Sequence, residues 1–201
     1  MPESWNEFYR DVDADPVPFL GELTVHKEFL AAILRCRPRT ALEVGCGTGR
    51  FSVFLSHIGI DVTAIDNDEG VLERAQRISK ALHGSVKFAK ADAARLPLAD
   101  DAFDVCFHQG LLEHFSDDQI AAFLREQLRV AKAVVFSVPG RCYPTQEFGN
   151  ERLLSRRQWL RILSGFNVAK CRSYCRQPVG IFRIRRPVMV LAKIEREENR
   201  G

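Results

Sequence analysis

Short apolar runs alternate with longer stretches in which apolar residues recur every three or four positions. Thr40–Val44, Asp61–Asp66, Ser85–Ala89, Phe103–His108 and Ala133–Val138 are runs of the first kind. Their length and their β-branched or aromatic content predict strands. The first stops at glycines and the fifth at Pro139–Gly140. Gly49–His57, Asp68–Leu82 and Ser116–Leu128 fall between them and predict helices. Asn67 or Asp68 can cap the second of these. Ser116, with Asp117 and Asp118 behind it, suits the start of the third. Strand–helix–strand alternation implies a parallel sheet covered by helices on both faces.

The pattern changes after the fifth strand. Ser155–Leu163 predicts a helix, and Phe166–Cys175 and Pro187–Ile194 predict two long strands. The gap from Gln177 to Arg186, with Pro178 and Gly180 inside it, is too short for a helical crossover. These two strands are therefore expected as antiparallel neighbours. The expected fold is a single α/β domain with a doubly wound, mostly parallel seven-stranded sheet, its last strand reversed. Upstream, Val25–Cys36 predicts a helix covering the sheet, and Ser4–Asp11 a mobile lead-in. Residues 1–38 form an N-terminal helical segment in this reading, residues 39–201 the core, and about 141–165 the acceptor side. Glu195–Gly201 is expected as a frayed end.

Composition narrows the class. With 201 residues, 46% hydrophobic and 27% charged, the chain suits one soluble domain rather than a disordered or disulfide-stapled protein. No apolar run reaches the roughly 18 residues of a membrane span. The acidic start Met1–Glu7 is unlike a secretory signal. A cytoplasmic location with no membrane partner is expected. The six cysteines agree, since they form no CxxC pair and no zinc spacing, and no metal site is expected.

Charge is uneven. Residues 1–151 hold 16 Lys and Arg against 23 Asp and Glu, whereas residues 152–201 hold 13 against 3. The basic quarter reads either as a site for an anionic partner or as a solvated face that pairs with the acidic front.

The strongest chemical signal follows the first strand, in Glu43-Val44-Gly45-Cys46-Gly47-Thr48-Gly49-Arg50. Three alternating glycines permit a tight turn and close approach of a ligand to bare backbone. The turn opens a helix whose free N–H groups can hold an anion. A nicotinamide fingerprint would need a glycine where Arg50 stands. Asp66 ends the second strand, 17 residues beyond Gly49, where a carboxylate can accept both hydroxyls of a ribose. Asp92 follows the third strand, where it can accept from an adenine amine. All three positions lie at the carboxyl ends of strands, where open α/β sheets bind ligands.

On these residues the chain resembles the class I S-adenosylmethionine-dependent methyltransferases, particularly their small type 11 group. Leu42–Gly49 matches that family's first motif, and Asp66 and Asp92 stand where its ribose- and adenine-contacting acids stand. Phe103-Asp104-Val105 and Gly110–Phe115 are similar to its fourth strand and the following loop. The departure is at His108–Gln109, where the family more often has small residues. The resemblance runs from about Leu42 to Val138 and more loosely to Ile194. It implies S-adenosylmethionine as cofactor and S-adenosylhomocysteine as product. It also implies cofactor contacts at Glu43, Gly45, Cys46, Gly47, Gly49, Asp66, Asn67, Asp92, Ala93 and Gln109. His108 and His114 are the candidate bases, each weighed against a structural role.

The acceptor is expected to meet Trp5, Phe8 and Tyr9, which can form a lid or simply pack a helix, and the stretch Arg141–Trp159 with Tyr143, Phe148 and Trp159. Three readings stand: methyl transfer to a small molecule, methyl transfer to RNA or another large anion, and a non-catalytic binding module. The first is preferred. No Asn/Asp-Pro-Pro-Tyr-like motif is present, and arginines on two final strands must alternate between faces.

Overall fold

The computed structural model describes residues 2–145, 148–179 and 184–196. The elements are α1 (Trp5–Phe8), α2 (Pro16–Val25), α3 (Lys27–Leu34), β1 (Thr40–Val44), α4 (Arg50–His57), β2 (Asp61–Asp66), α5 (Glu69–Ala81), β3 (Val86–Lys90), β4 (Val105–Gln109), α6 (Asp117–Val130), β5 (Ala133–Pro139), α7 (Arg156–Ile162), β6 (Asn167–Val179) and β7 (Ile184–Glu195). The sheet has seven strands in the order β3-β2-β1-β4-β5-β7-β6. β1 to β5 run parallel, and β7 runs antiparallel to both β5 and β6. This is the architecture expected from the sequence. β6 and β7 pair as far as Val179 opposite Ile184, beyond the expected ends. Of the expected Gln177–Arg186 gap, residues 180–183 lie outside the described residues. Of the end expected to fray, Glu195 instead closes β7 and Arg196 donates to the Leu128 and Arg129 carbonyls (2.8 and 2.9 Å), while 197–201 lie outside the described residues.

Strand alternation divides the core between two faces. Leu42, Cys106, Val134, Phe136 and Val190 pack with Ile120 and Leu124 of α6 and Trp159 of α7. Ala41, Val62, Phe107, Val135 and Leu191 pack with Phe29 and Ile33 of α3 and Phe51 and Leu55 of α4. β5 is buried along its whole length, which is why it reads as one continuous apolar run. Trp159, a candidate acceptor contact on sequence grounds, lies wholly inside the first cluster.

Two expectations for the N-terminal segment are corrected. The helix expected over Val25–Cys36 is two helices, broken at His26 (φ −96°, ψ 15°). α2 starts at Pro16, with Asp15 accepting from the Val17 N–H. It escaped notice because Val17 is 75% and Leu20 66% exposed, so it has no sharply apolar face. Ser4–Asp11 is not a loose lead-in. Ser4 caps α1, the Arg10 carbonyl accepts from Arg74 Nη1 (2.7 Å), and Arg50 Nη2 donates to the Asp13 carbonyl (2.7 Å).

Three arginines of the basic quarter pair with the acidic front. Arg152 meets Asp117 (2.6 Å), Arg172 meets Glu28 (2.7 Å) and Arg196 meets Asp101 (2.5 Å). All six cysteines are free thiols. Among the described residues, no cluster of His, Cys, Asp or Glu is arranged to hold a metal, and no helix is long and apolar enough to cross a membrane.

Candidate functional site

The strand order reverses direction at β1, which lies between β2 and β4. Crossovers leave that point toward opposite faces, so a crevice opens beyond the carboxyl ends of the strands. A cavity of about 330 Å³ lies there, at the size expected of a small-molecule site. Val44 and Gly45 border it from β1, Asp66 and Asn67 from β2, Ala91–Ala93 from the loop after β3, and Gly110 from β4.

The glycine turn is closely packed by this chain's own side chains. Gly45 and Gly47 have φ of 64° and 53°, a region that side chains disfavour. A Cβ on Gly45 would stand 2.9 Å from Leu111 Cδ1, and one on Gly47 2.6 Å from the Tyr9 hydroxyl. Asp66 is nearly buried, and its Oδ2 accepts from the Gly47 N–H while its Oδ1 accepts from the Asp68 N–H, both at 3.1 Å. Burial pushes its pKa up, while those backbone N–H groups pull it down. Each carboxylate oxygen has a further lone pair, so Asp66 can still accept from a ligand hydroxyl. Asp92 is exposed, with Oδ1 accepting from the Ala94 N–H (2.8 Å) and Oδ2 open.

The structure does not bring every sequence candidate to the cavity. Gly45, Gly47, Asp66, Asn67, Asp92, Ala93 and His114 line it. Cys46 and Gly49 shape the turn instead, with the Cys46 carbonyl accepting from the Gly49 N–H (2.8 Å). Glu43 lies beneath the turn, accepting from the Ser52 hydroxyl of α4 (2.5 Å). Gln109 borders a second, adjoining cavity of about 100 Å³.

His108 is a correction. As a neighbour-but-one of Cys106 it projects onto the α6 face, where it is wholly buried and stacked on Phe136 (5.4 Å, 6°). Neither ring nitrogen has a hydrogen-bond partner, and burial pushes its pKa down to about 3. It touches neither cavity. His114 borders both, with Nδ1 2.5 Å from Asn150 Oδ1. Asn150 accepts, so that nitrogen carries the proton and Nε2 is the basic one.

Aromatic rings roof the cavity. Trp5 stacks on Phe148 (4.2 Å, 18°) and meets His114 edge-on (5.0 Å, 84°). Tyr9 sits over Gly47, and burial, reinforced by the Asp66 carboxylate, raises its pKa, so the phenol stays protonated. Leu111, Phe115, Phe123 and Asn150 also line the cavity; the sequence marked the Gly110–Phe115 loop and the Arg141–Trp159 stretch but none of these four side chains singly. Apolar residues on a loop or helix look alike whether they face core or cavity, and Asn150 arrives from a loop with no local pattern.

Burial pushes the pKa of Glu43 from its ordinary 4.5 up to about 8. Between these values the folded chain keeps a proton that the unfolded chain has released. Stability from this group is thus complete below about pH 4.5 and is lost as pH rises through about 8. Glu43→Gln is expected to flatten that decline by up to about 1.4 kcal/mol per pH unit. Urea unfolding of both proteins across the range checks it, and parallel pH profiles would refute it.

Comparison with known proteins agrees with this geometry. Residues 41–133 match the family model described as a methyltransferase domain. A probable S-adenosylmethionine-dependent methyltransferase of Mycobacterium tuberculosis is 32% identical over 130 residues, covering 59% of this chain and 45% of that protein. A malonyl-[acyl-carrier protein] O-methyltransferase of Pseudescherichia vulneris is 33% identical over 109 residues, covering 54% and 42%. The chain therefore spans less than half the length of these relatives. The crystal structure of the PH0226 protein of Pyrococcus horikoshii superposes with a TM-score of 0.74 at 18% identity, covering 95% of this chain and 99% of that one.

Proposed function

We propose, from a chain whose residues 41–133 match a methyltransferase-domain model, that the protein is a class I S-adenosylmethionine-dependent methyltransferase that transfers a methyl group to a nucleophilic O, N or C of a small-molecule acceptor. The observation that carries this is the cavity at the β1–β4 switch point, where a bare glycine turn faces two acids on neighbouring strand ends.

The residues fit the cofactor. Gly45 and Gly47 border the cavity with backbone alone, their Cβ positions taken by Leu111 and Tyr9, and Asp66 has acceptor capacity for ribose hydroxyls. Asp92 Oδ2 is free to accept from an adenine amine. When bound, S-adenosylmethionine supplies a methyl group already activated on a sulfonium sulfur. Trp5, Tyr9 and Phe148 cover the cavity and exclude water, and positioning alone can lower a barrier by roughly 7–11 kcal/mol. His114 is the remaining candidate base, through Nε2. Arg152 and Arg172 of the basic quarter pair with acidic residues, and no Lys or Arg is among the described residues bordering either cavity. That arrangement favours a small molecule over RNA.

S-adenosylmethionine and S-adenosylhomocysteine are expected to bind in isothermal titration calorimetry, and NAD is not. A screen with labelled cofactor over pooled metabolites and total RNA then tests transfer. Absence of heat with both adenosyl ligands, or labelling of RNA alone, would overturn the proposal.

A further inference from the structure

The second cavity shares Trp5, Tyr9, Gly110, His114 and Phe148 with the first, so it opens directly beside it. It has an aromatic wall and an acidic floor. Phe8 packs edge-on to Trp5 (5.7 Å) and to Tyr9 (4.9 Å), next to the stacked Trp5–Phe148 pair. Glu113, on the 3-10 turn Leu112–His114, borders the cavity with only 2% of its surface exposed. Its Oε2 is buried without a hydrogen-bond partner. Glu151 also borders the cavity, but its oxygens accept from the Phe148 and Gly149 N–H groups (2.6 and 2.8 Å).

We infer that this second cavity is the acceptor site and that it recognises a basic nitrogen, held by Glu113 against the aromatic wall. The inference rests on the methyl-transfer reading and narrows its acceptor to an amine. A buried carboxyl oxygen without a partner is costly and marks a place that a ligand donor satisfies. Burial without a counter-charge pushes the Glu113 pKa up to about 8, and a cation supplies that counter-charge. Ring faces attract the same cation. An anionic acceptor would meet two carboxylates and no Lys or Arg among the described lining residues. The volume of about 100 Å³ admits a small ammonium head group rather than a large ring system.

The test uses N,N-dimethylethanolamine, a tertiary amine that carries one N–H when protonated at neutral pH, and its uncharged carbon isostere, 3-methylbutan-1-ol, with acetate as the anionic probe. Each is titrated into the whole chain, with and without saturating S-adenosylhomocysteine. The readout is Trp5 emission, read against the constant background of the buried Trp159. The amine is expected to give a saturable change, with the isostere weaker by about tenfold or more and acetate without effect. Glu113→Gln is expected to weaken the amine by about tenfold or more while S-adenosylhomocysteine still binds. Equal binding of amine and isostere, saturation by acetate, or full amine affinity in the folded variant would overturn the inference. The isostere pair decides the matter on the wild-type chain if the variant does not fold. Amine selectivity in a chain that binds no adenosyl ligand would keep the cation site and reject methyl transfer, and the reverse result would reject the cation site alone.

Discussion

Asp66→Ala is expected to weaken S-adenosylhomocysteine binding by about ten- to a hundredfold or more, in a chain that still folds. A hydrogen bond to a charged group contributes about 1.5–3 kcal/mol, and each 1.4 kcal/mol or so is a tenfold change in affinity. The carboxylate acts in two ways. It fastens the Gly47 and Asp68 N–H groups, and it keeps acceptor capacity turned to the cavity. Asp66→Asn separates them, because its amide keeps one acceptor oxygen but loses the charge. The asparagine variant is expected to fall between wild type and alanine. Calorimetry measures the affinities, and thermal melts by circular dichroism confirm folding. Unchanged affinity in a folded Asp66→Ala chain would remove this residue from the site.

Trp159→Ala is expected to lower the unfolding free energy by about 3–5 kcal/mol, the usual cost of removing a large buried aromatic. The side chain is wholly buried, with its ring centroid 5.5 Å from that of Phe136. It sits on α7, whose start is fixed by the reciprocal capping box of Ser155 and Gln158. The indole Nε1 has no partner, so the variant loses packing and leaves a void but breaks no hydrogen bond. Trp159→Phe is expected to cost much less, since most of the ring volume remains. Denaturant titration gives the stabilities. Because Trp159 borders neither cavity, the folded fraction is expected to bind S-adenosylhomocysteine as wild type does. A stability loss below about 1 kcal/mol together with lost acceptor binding would place it at the site instead.

The strands, most helices and the cofactor side of the site are written locally in the chain. Buried parallel strands must read as continuous apolar runs, and a turn that approaches a ligand must be glycine. Both demands act on neighbouring residues, so Thr40–Val44, Gly45–Gly49 and Asp66 were legible without a fold. The short gap before β7 was equally local, and it fixed the antiparallel pairing. The remainder emerged only from tertiary packing, because the same residue types serve several surroundings. His108 and Gln109 are adjacent, yet strand alternation buries one under α6 and leaves the other beside the second cavity. Trp5 and Trp159 both carry an indole. One roofs the cavity and the other fills the core, because α1 is fastened over the strand ends and α7 lies flat on the sheet. Arg50 departs from the nicotinamide fingerprint, and only the fold shows why an arginine stands there. It holds Asp13 and Glu22 and so seats the N-terminal segment over the site. Such contacts join residues far apart in the chain, and no local pattern encodes them.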